Sequence, residues 1–284
     1  MKKAAALLLT VTMTMAMAFT GCGDTAKDAN TNNTDNAANT ESASNDEDSQ
    51  GDAAGEGPLA DGVLNVGTNA EFPPFEYVGD DGEPDGFDMA LIKAIGEKLG
   101  VDVVVENMEF DSLVASIGSK IDVAIAGMTV TEERKNAVDF SDDYYEAVQY
   151  VIVSADSEIA NAEDLKGKTI GVQLGTTGDF IVEEIEDATP AQYNKAVDAV
   201  NDLRNGRVDA VIIDKNPALV FGEQFKDEVK LYDGESADFG FEKEYYAIAL
   251  PKGDEELAKS INEALAELKE DGTFDELVTQ YIGN

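Results

Sequence analysis

The side chains available for chemistry in this sequence are restricted, because histidine is absent and Cys22 is the only cysteine. Without imidazole there is no His-dependent catalytic triad, no imidazole general base and no His-ligated metal site. A single thiol provides neither a disulfide framework nor a thiolate metal cluster. Any enzyme would have to work with carboxylates, Lys, Tyr, Ser or Thr. The sequence implies no metal ion and no cofactor.

Arg134 is the first candidate for ligand binding, because it lies in the first turn of a predicted helix. Thr131 is the expected N-cap, and Glu132 and Glu133 suit the positive end of the helix dipole. A cation at this end does not suit the dipole, which indicates a separate role for Arg134. A guanidinium beside free backbone N–H groups can hold a carboxylate bidentately, and Thr129 could add a hydroxyl. The alternative is an ion pair between Arg134 and a nearby Asp or Glu.

Further polar and aromatic candidates follow predicted strands. The Gly-Thr-Thr-Gly segment at residues 175–178 lacks the Lys-Ser/Thr ending of a nucleotide phosphate loop, but it could accept an anion at a helix start. Asp214 follows an apolar strand and could hold an ammonium group, or it could cap the next helix. Phe72, Phe75 and Phe110 follow strand ends and could contact a ligand or belong to the core.

Strands and helices alternate in the predicted folded region, which favours an α/β fold with parallel strands. A strand at residues 63–67 precedes a helix for which Asp88 is the expected N-cap, and a second strand follows at residues 121–126. Residues 168–172 and 206–214 repeat this strand pattern. Ligands bind at the carboxyl ends of such strands, so two facing halves would form a cleft. Coincidence between two common α/β units is the alternative.

Residues 1–21 are predicted to be a lipoprotein signal peptide. A basic start precedes an apolar run over residues 4–19, which is shorter than the about 20 residues of a membrane span. Residues 19–22, Phe-Thr-Gly-Cys, resemble a bacterial lipobox, although Phe19 replaces the usual Leu. In that interpretation Cys22 is acylated and becomes the mature N-terminus. The alternative is an ordinary signal peptide with an incidental cysteine.

Residues 22–58 are predicted to be the acylated cysteine and a disordered acidic tether. From residue 23 to residue 58 there is no aromatic residue, Val, Ile or Leu, so the segment cannot bury enough apolar surface to offset its ordering entropy. The whole chain has 59 Asp and Glu against 20 Lys and Arg, a formal net charge of −39. Phosphate backbones would be repelled, which argues against nucleic acid as a partner.

Several short motifs stand in order between about Leu59 and Ile282, most of the predicted mature chain. They are Gly-Thr-Asn-Ala-Glu-Phe-Pro-Pro-Phe-Glu at 67–76, Gly-Phe-Asp at 86–88, Ala-Gly-Met-Thr-Val-Thr-Glu-Glu-Arg at 126–134, Asp-Phe-Ser at 139–141, Gly-Val-Gln-Leu-Gly-Thr-Thr at 171–177, Gly-Arg-Val-Asp-Ala at 206–210 and Asp-Gly-Thr-Phe at 271–274. Together they resemble the polar amino-acid family of solute-binding proteins of ABC importers. Each motif is weak alone, but their number, order and spacing make the match specific.

The resemblance implies a periplasmic-binding-protein-like, two-lobe (Venus-flytrap) α/β fold of type II. Lobe 1 would combine residues 59–145 with 245–284, and lobe 2 would be residues 146–244. Two crossover strands, near residues 144–148 and 241–247, would act as hinges. Closure would gain contacts from both lobes only when ligand is present.

The resemblance also implies a role for each site residue. Arg134 would grip the ligand α-carboxylate, assisted by Thr129 and by the backbone and hydroxyls of Thr176 and Thr177. Asp214 and Gly127 would take the α-ammonium. The remaining contacts would be to the ligand side chain, which Phe72 and Phe110 would sandwich and for which Asn69 would line the pocket.

One position departs from the family pattern. Members that take cationic amino acids often have Asp or Glu where this chain has Asn69. An amide can pair with a neutral polar side chain but cannot neutralise a guanidinium or an ammonium. Glu71 could supply the missing charge, or it could face solvent. A basic and a neutral polar ligand therefore both stay open.

The resemblance implies a receptor that captures a polar L-amino acid and delivers it to an ABC permease and its cytoplasmic ATPase. We expect it to be secreted, held by its N-terminal lipid on the outer face of the cytoplasmic membrane, and monomeric, because one lobe pair makes the whole site. It would not be an enzyme. Two alternatives are a cyclohexadienyl dehydratase-like enzyme on the same scaffold, with Glu71 or Asp214 as its acid, and a sensory amino-acid-binding domain. No signalling module follows Ile282, which disfavours the sensory alternative.

Overall fold

A computed structural model describes residues 57–283 of the chain. The predicted signal peptide, Cys22 and the predicted tether up to residue 56 lie outside the described residues. The strands, in chain order, are β1 (Val63–Thr68), β2 (Glu71–Phe72), β3 (Glu76–Val78), β4 (Pro84–Asp85), β5 (Asp102–Asn107), β6 (Val123–Ala124), β7 (Val138–Phe140), β8 (Tyr145–Ser154), β9 (Thr169–Gln173), β10 (Thr189–Tyr193), β11 (Ala210–Asp214), β12 (Val229–Asp233), β13 (Lys243–Tyr246) and β14 (Ala249–Pro251).

The helices of the described region lie on and between these strands. They are α1 (Phe87–Leu99), α2 (Leu113–Ser116), α3 (Glu132–Lys135), α4 (Thr177–Glu184), α5 (Ala196–Arg204), α6 (Lys215–Gln224), α7 (Glu255–Asp271) and α8 (Thr273–Leu277), with 3-10 turns at Phe110–Ser112 and Ala162–Leu165 and a π turn at Val278–Ile282. Over residues 57–283, none of them has the length and apolar character needed to span a membrane.

The two main sheets arrange their parallel and antiparallel strands in the same way. The first sheet runs β5-β1-β6-β14-β7, and the second runs β10-β9-β11-β8-β12. In each, three parallel strands are joined by a strand that returns antiparallel beside the third. We call the part built on the first sheet lobe 1 and the part built on the second sheet lobe 2. The expected two-lobe α/β fold is confirmed.

Two crossover strands connect the lobes, as expected. The first part of β8 pairs antiparallel with β13, from Tyr145↔Tyr246 to Val148↔Lys243. The rest of β8 pairs with β11 and β12 inside the second sheet. After β13 the chain returns to the first sheet as β14, which pairs with β6 and β7. Both connections therefore pass through one short antiparallel ribbon.

Each lobe buries the apolar face that its sequence pattern predicts. Every residue of β11 is buried, in keeping with its run of Ala, Val and Ile. Helix α7 buries Leu257, Ile261 and Leu265 at helical spacing and packs against α1. Asp254 caps α7 by accepting a bond from the Leu257 backbone N–H at 3.0 Å.

The prediction that Asp88 is the N-cap of α1 is wrong. Gly86 is the N-cap, and Asp88 lies inside the first turn of the helix, where its side chain is fully buried. Its carboxylate Oδ2 accepts bonds from the Gly127 backbone N–H and from the Tyr144 hydroxyl, both at 2.8 Å. Tertiary partners thus take the side chain away from the helix end and tie α1 to the loop after β6.

Candidate functional site

A narrow cavity of about 10 Å³ lies between the lobes, at the carboxyl ends of the central strands. This closed space has room for about one water molecule. All nine ligand-binding residues expected from the sequence line it, together with three that were not expected. The lining is Asn69, Phe72, Glu76, Phe110, Ala126, Gly127, Thr129, Arg134, Gln173, Thr176, Thr177 and Asp214.

Arg134 enters the cavity from α3, the four-residue helix that Thr131 caps by accepting a bond from the Arg134 backbone N–H at 3.1 Å. The guanidinium is buried and donates through Nη1 to the Thr129 carbonyl at 2.6 Å. It also donates through Nη2 to the Gly175 carbonyl at 3.0 Å. Both bonds are to backbone carbonyls. Within residues 57–283, the structure therefore does not support the alternative of an ion pair between Arg134 and a nearby Asp or Glu.

The charge of Arg134 is retained in this setting. Burial lowers its pKa to about 10, and the Glu244 and Asp214 carboxylates oppose that shift. The guanidinium is therefore a cation at neutral pH. Its carbon lies 5.3 Å from the centroid of the Phe110 ring. One buried cation with donors left over from its backbone bonds is a receptor for an anionic group.

The threonine hydroxyls near Arg134 are already used. Glu244 Oε2 accepts bonds from the Thr129 hydroxyl at 2.7 Å and from the Thr177 hydroxyl at 2.8 Å. The Thr176 hydroxyl donates to the Gln173 carbonyl at 2.8 Å. An anion beside Arg134 would thus meet the backbone N–H groups at the start of α4 rather than free hydroxyl donors.

Asp214 lies at the end of β11, at the N-cap position of α6, but its side chain makes no capping bond. Its Oδ1 instead accepts a bond from the Tyr246 hydroxyl at 2.5 Å. Burial raises the pKa of Asp214 to about 7, and the neighbouring Glu244 carboxylate adds to that effect. A cationic group in the cavity would favour the ionised form.

Glu76 also lines the cavity, and the sequence analysis did not predict it. Its side chain is fully buried in the cavity wall, and within residues 57–283 neither carboxyl oxygen has a hydrogen-bond partner. Burial, and next the Asp88 carboxylate, raises the pKa of Glu76 well above its usual value. A charged residue directly after Phe75 and before Tyr77, within a motif already singled out, was the signal that could have found it.

Asn69 lines the cavity, but both ends of its amide are engaged by protein groups. Its Nδ2 donates to the Met108 carbonyl at 2.8 Å. Its Oδ1 accepts a bond from Gln173 Nε2 at 2.8 Å, and that bond joins lobe 1 to lobe 2. Gln173 was not expected from the sequence, because a single Gln at a strand end has no distinguishing pattern. Ala126, also unexpected, belongs to the wall beside Gly127.

Glu71 does not line the cavity. It forms an ion pair with Lys195 of lobe 2, with Oε1 and Nζ 2.5 Å apart, at the partly exposed rim. The structure therefore gives no support to the hypothesis that Glu71 supplies negative charge to the cavity. Its carboxylate is partly exposed, as the alternative expected, but it pairs with Lys195. Arg134–Gly175, Gln173–Asn69 and Lys195–Glu71 are three polar contacts that join the lobes across the cleft.

The aromatic candidates divide between cavity and core. Phe72 and Phe110 line the cavity. Phe75 is fully buried behind it, with its ring centroid 5.0 Å from that of Tyr145 and 5.3 Å from that of Tyr246. Gly127 has a φ of 51°, and a Cβ there would lie 2.9 Å from the Phe72 ring, so glycine is required for this approach.

Comparison with known proteins gives a consistent result. The profile described as "Bacterial extracellular solute-binding proteins, family 3" matches residues 64–284. The L-cystine-binding protein TcyJ of Escherichia coli (strain K12) is 34% identical over 78% of this chain and 83% of its own length. The arginine-binding extracellular protein ArtP of Bacillus subtilis (strain 168) is 37% identical over 77% of this chain and 86% of its own length.

A solved structure is similar over the same region. An ancestral arginine-binding protein bound to arginine has a TM-score of 0.73 and 43% sequence identity. The alignment covers 78% of this chain and 99% of that one. The family and the type II fold expected from the sequence motifs are confirmed.

Proposed function

The chain belongs to the bacterial extracellular solute-binding proteins, family 3, and we propose that it captures an L-amino acid with a cationic side chain and delivers it to an ABC importer. The observation that carries the cationic preference is Glu76, a fully buried carboxyl group in the cavity wall that has no hydrogen-bond partner in the part of the chain that the structure describes. A buried carboxylate is costly unless a cation or hydrogen-bond donors face it. A guanidinium or ammonium at the end of the ligand side chain would meet that need.

The two ends of the α-amino acid group would be held from opposite lobes. Arg134 of lobe 1 takes the α-carboxylate, with the backbone at Thr176 and Thr177 of lobe 2 facing it. Asp214 of lobe 2 and the backbone of Gly127 in lobe 1 take the α-ammonium. One fixed cation and one fixed anion select a zwitterion, and its charges then bind in one orientation.

The ligand side chain would pass between Phe72 and Phe110 toward Glu76. Aromatic faces suit the methylene groups and also the planar guanidinium of arginine. Asn69 would contribute to the shape of this pocket, while its amide stays bound to Met108 and Gln173. The relative named as arginine-binding, ArtP, supports a cationic ligand.

A neutral polar ligand is the second candidate, and the relative named as L-cystine-binding favours it. In that case an amide such as Asn69 would set the preference. Against it, the Asn69 amide has its partners within the protein, whereas the Glu76 carboxyl has none among the described residues. The dehydratase-like alternative also needs a carboxylic acid in the cleft, and Glu76 is a better candidate for that acid than Glu71.

Titration calorimetry on refolded protein, freed of carried-over ligand, distinguishes these candidates. We expect arginine, lysine or ornithine to bind more tightly than glutamine, cystine or citrulline. Preference for cystine or another neutral ligand would contradict the cationic assignment. Absorbance assays with prephenate and arogenate test the enzyme alternative, and we expect no turnover of either.

We also propose where the protein is located and how it is anchored. The protein would be a monomer on the outer face of the cytoplasmic membrane, anchored through lipid on Cys22 after removal of residues 1–21 and held off by an acidic tether over residues 22–58. The lobes would be residues 59–145 with 245–284, and 146–244. Globomycin-sensitive processing and loss of membrane association in Cys22→Ser would be the expected outcomes. Retention of that variant on the membrane would contradict the anchor.

A further inference from the structure

The cavity has an imbalance of charge that the binding of an α-amino acid group alone does not resolve. Glu76, Asp88 and Asp214 are all buried at or behind the cavity wall. Arg134 is the cation of the cavity lining. An ionised carboxylate away from water is strongly disfavoured unless a cation or hydrogen-bond donors face it. An empty cavity therefore favours protons on some of these groups.

Glu76 and Asp88 are placed to share such a proton. The Asp88 backbone N–H donates to the Phe75 carbonyl at 2.9 Å, which brings Asp88 beside Glu76, and each carboxyl group affects the pKa of the other. Asp88 Oδ2 accepts bonds from the Gly127 N–H and the Tyr144 hydroxyl, whereas Asp88 Oδ1 and both Glu76 oxygens have no partner among residues 57–283. When both groups are ionised, neither can donate. One proton on Glu76, donated to Asp88 Oδ1, would join the pair by a hydrogen bond and leave one Glu76 oxygen for a ligand.

We infer that Glu76 and Asp88 share one proton in the empty cleft, and that a cationic ligand side chain displaces this proton from Glu76 to the solvent when it binds. The inference rests on the proposed function, since it needs a cationic side chain beside Glu76. Asp88 is then a positioning residue for specificity. It holds Glu76 neutral when the cleft is empty, and it limits the free energy gained when a cation arrives.

The surrounding titratable and charged groups are consistent with this exchange. From lobe 1, Tyr144 donates to Asp88, and from lobe 2, Asp214 lines the same cavity as Glu76. Tyr246 and Glu244 of the crossover strand lie against Asp214, and Arg134 completes the set across the cavity. Burial raises the pKa of Asp88 to about 6 and that of Glu76 further above its usual value.

Asp214 would also change its protonation, but with every amino acid, because its partner is the α-ammonium. Its contribution must be separated from that of Glu76. Asp88→Asn makes the separation, since the amide that replaces the carboxylate can accept from Gly127 and Tyr144 through its oxygen and donate to Glu76 through its nitrogen. The pKa of Glu76 should then be lower than in the wild type, because the Asp88 charge is gone and an amide N–H faces Glu76, while Asp214 is unchanged.

The experiment is titration calorimetry of arginine into the wild-type protein and Asp88→Asn, at one pH near 6, in buffers of different ionisation enthalpy. We expect the wild type to release more protons per bound arginine than the variant, by up to about one. When the titrations are repeated at pH 7, the Kd for arginine should have fallen more in the wild type than in the variant, because proton release linked to binding raises affinity as pH rises. Glu97→Gln, an exposed substitution on α1, should match the wild type.

Equal proton release by the wild type and a folded Asp88→Asn would overturn the inference while leaving arginine binding intact. Absence of arginine binding to folded wild-type protein would overturn the proposed function and the inference with it. If Asp88→Asn does not fold, infrared difference spectra of the wild type test the same point. Arginine should remove a protonated-carboxyl C=O band that citrulline leaves in place, and no such loss would contradict the exchange.

Discussion

Arg134 contributes the fixed cation of the site, and its two bonds to backbone carbonyls orient it without neutralising it. Arg134→Ala should raise the Kd for the preferred amino acid by about 100-fold or more, because a buried bidentate charge pair is lost. Arg134→Lys should recover only part of the affinity, since an ammonium lacks the planar fork. Calorimetry with circular dichroism as the folding control measures both. Unchanged titrations for a folded Arg134→Ala would contradict the assigned role.

Glu76 illustrates a conflict between stability and binding. Burial raises its pKa, so in the ligand-free protein the folded state holds a proton that the unfolded state loses as pH rises above the usual Glu range. The free energy of unfolding contributed by this group therefore decreases as pH rises. Glu76→Gln should be more stable than the wild type at pH 8, by about 2–4 °C in Tm or more.

That stability difference should disappear toward pH 4, where both states hold the proton. Thermal melts of ligand-free protein across this range provide the measurement, with Glu97→Gln as the matched exposed control. A Glu76→Gln variant that is less stable than the wild type at pH 8 would mean that the ionised carboxylate is stabilised by groups not identified in the cavity.

At the residue scale the sequence predicts more of the cavity lining than of its hydrogen bonding. Residues at strand ends, such as Asn69 and Asp214, could be placed because strand ends converge at one edge of an α/β sheet. The partners of their side chains could not, because they come from distant segments. The Asn69 amide is bound by Met108 and Gln173, and Asp214 by Tyr246. Glu76 was missed because hydrophobic patterning does not predict that a charged residue is buried.

The elements that approach across the cleft are joined by few side chains. Gln173 at the end of β9 donates to Asn69 after β1, and this bond must break when the lobes separate. Gln173→Ala should therefore increase the dissociation rate of ligand about 3- to 10-fold, the effect expected from about 1 kcal/mol of buried hydrogen bonding. The association rate should change little. Surface plasmon resonance on immobilised protein reports both rates.

Gln224→Ala is the matched control, because Gln224 is exposed at the end of α6 in the same lobe. Its rates should equal those of the wild type. An unchanged dissociation rate in Gln173→Ala would show that the Gln173–Asn69 contact does not hold the lobes together, and the Arg134–Gly175 and Lys195–Glu71 contacts would then be the ones to test.

Element boundaries were predictable where local and tertiary preferences agree. The N-cap of α3 at Thr131 and the amphipathic α7 agree with their sequence signals. Asp88 fails as a cap because a buried hydroxyl and a backbone N–H compete for its carboxylate. The residues from Tyr245 to Leu250 are divided between β13 and β14, because the chain leaves the crossover ribbon there and joins the first sheet.

The whole molecule has a formal net charge of −39, distributed over a chain that is proposed to bind a cation. Such a field attracts a ligand of net positive charge and is screened by salt. The association rate of arginine should therefore fall by about twofold or more between low ionic strength and about 1 M salt. The rate for citrulline, if it binds, should change less. Equal salt dependence for the two ligands would indicate that the surface charge does not steer the ligand.

The proposed preference for a cationic ligand depends most on the pairing of Glu76 with the ligand side chain. The most direct test is the ratio of arginine affinity to citrulline affinity, measured by calorimetry in the wild type and in Glu76→Gln at pH 8. These ligands differ in the charge of the terminal group, so the comparison isolates the charge at Glu76. If Glu76 pairs with the cation of the ligand, the wild type should prefer arginine over citrulline by about 100-fold or more. In the variant this preference should fall to within about tenfold. A ratio that is the same in both proteins would contradict this pairing.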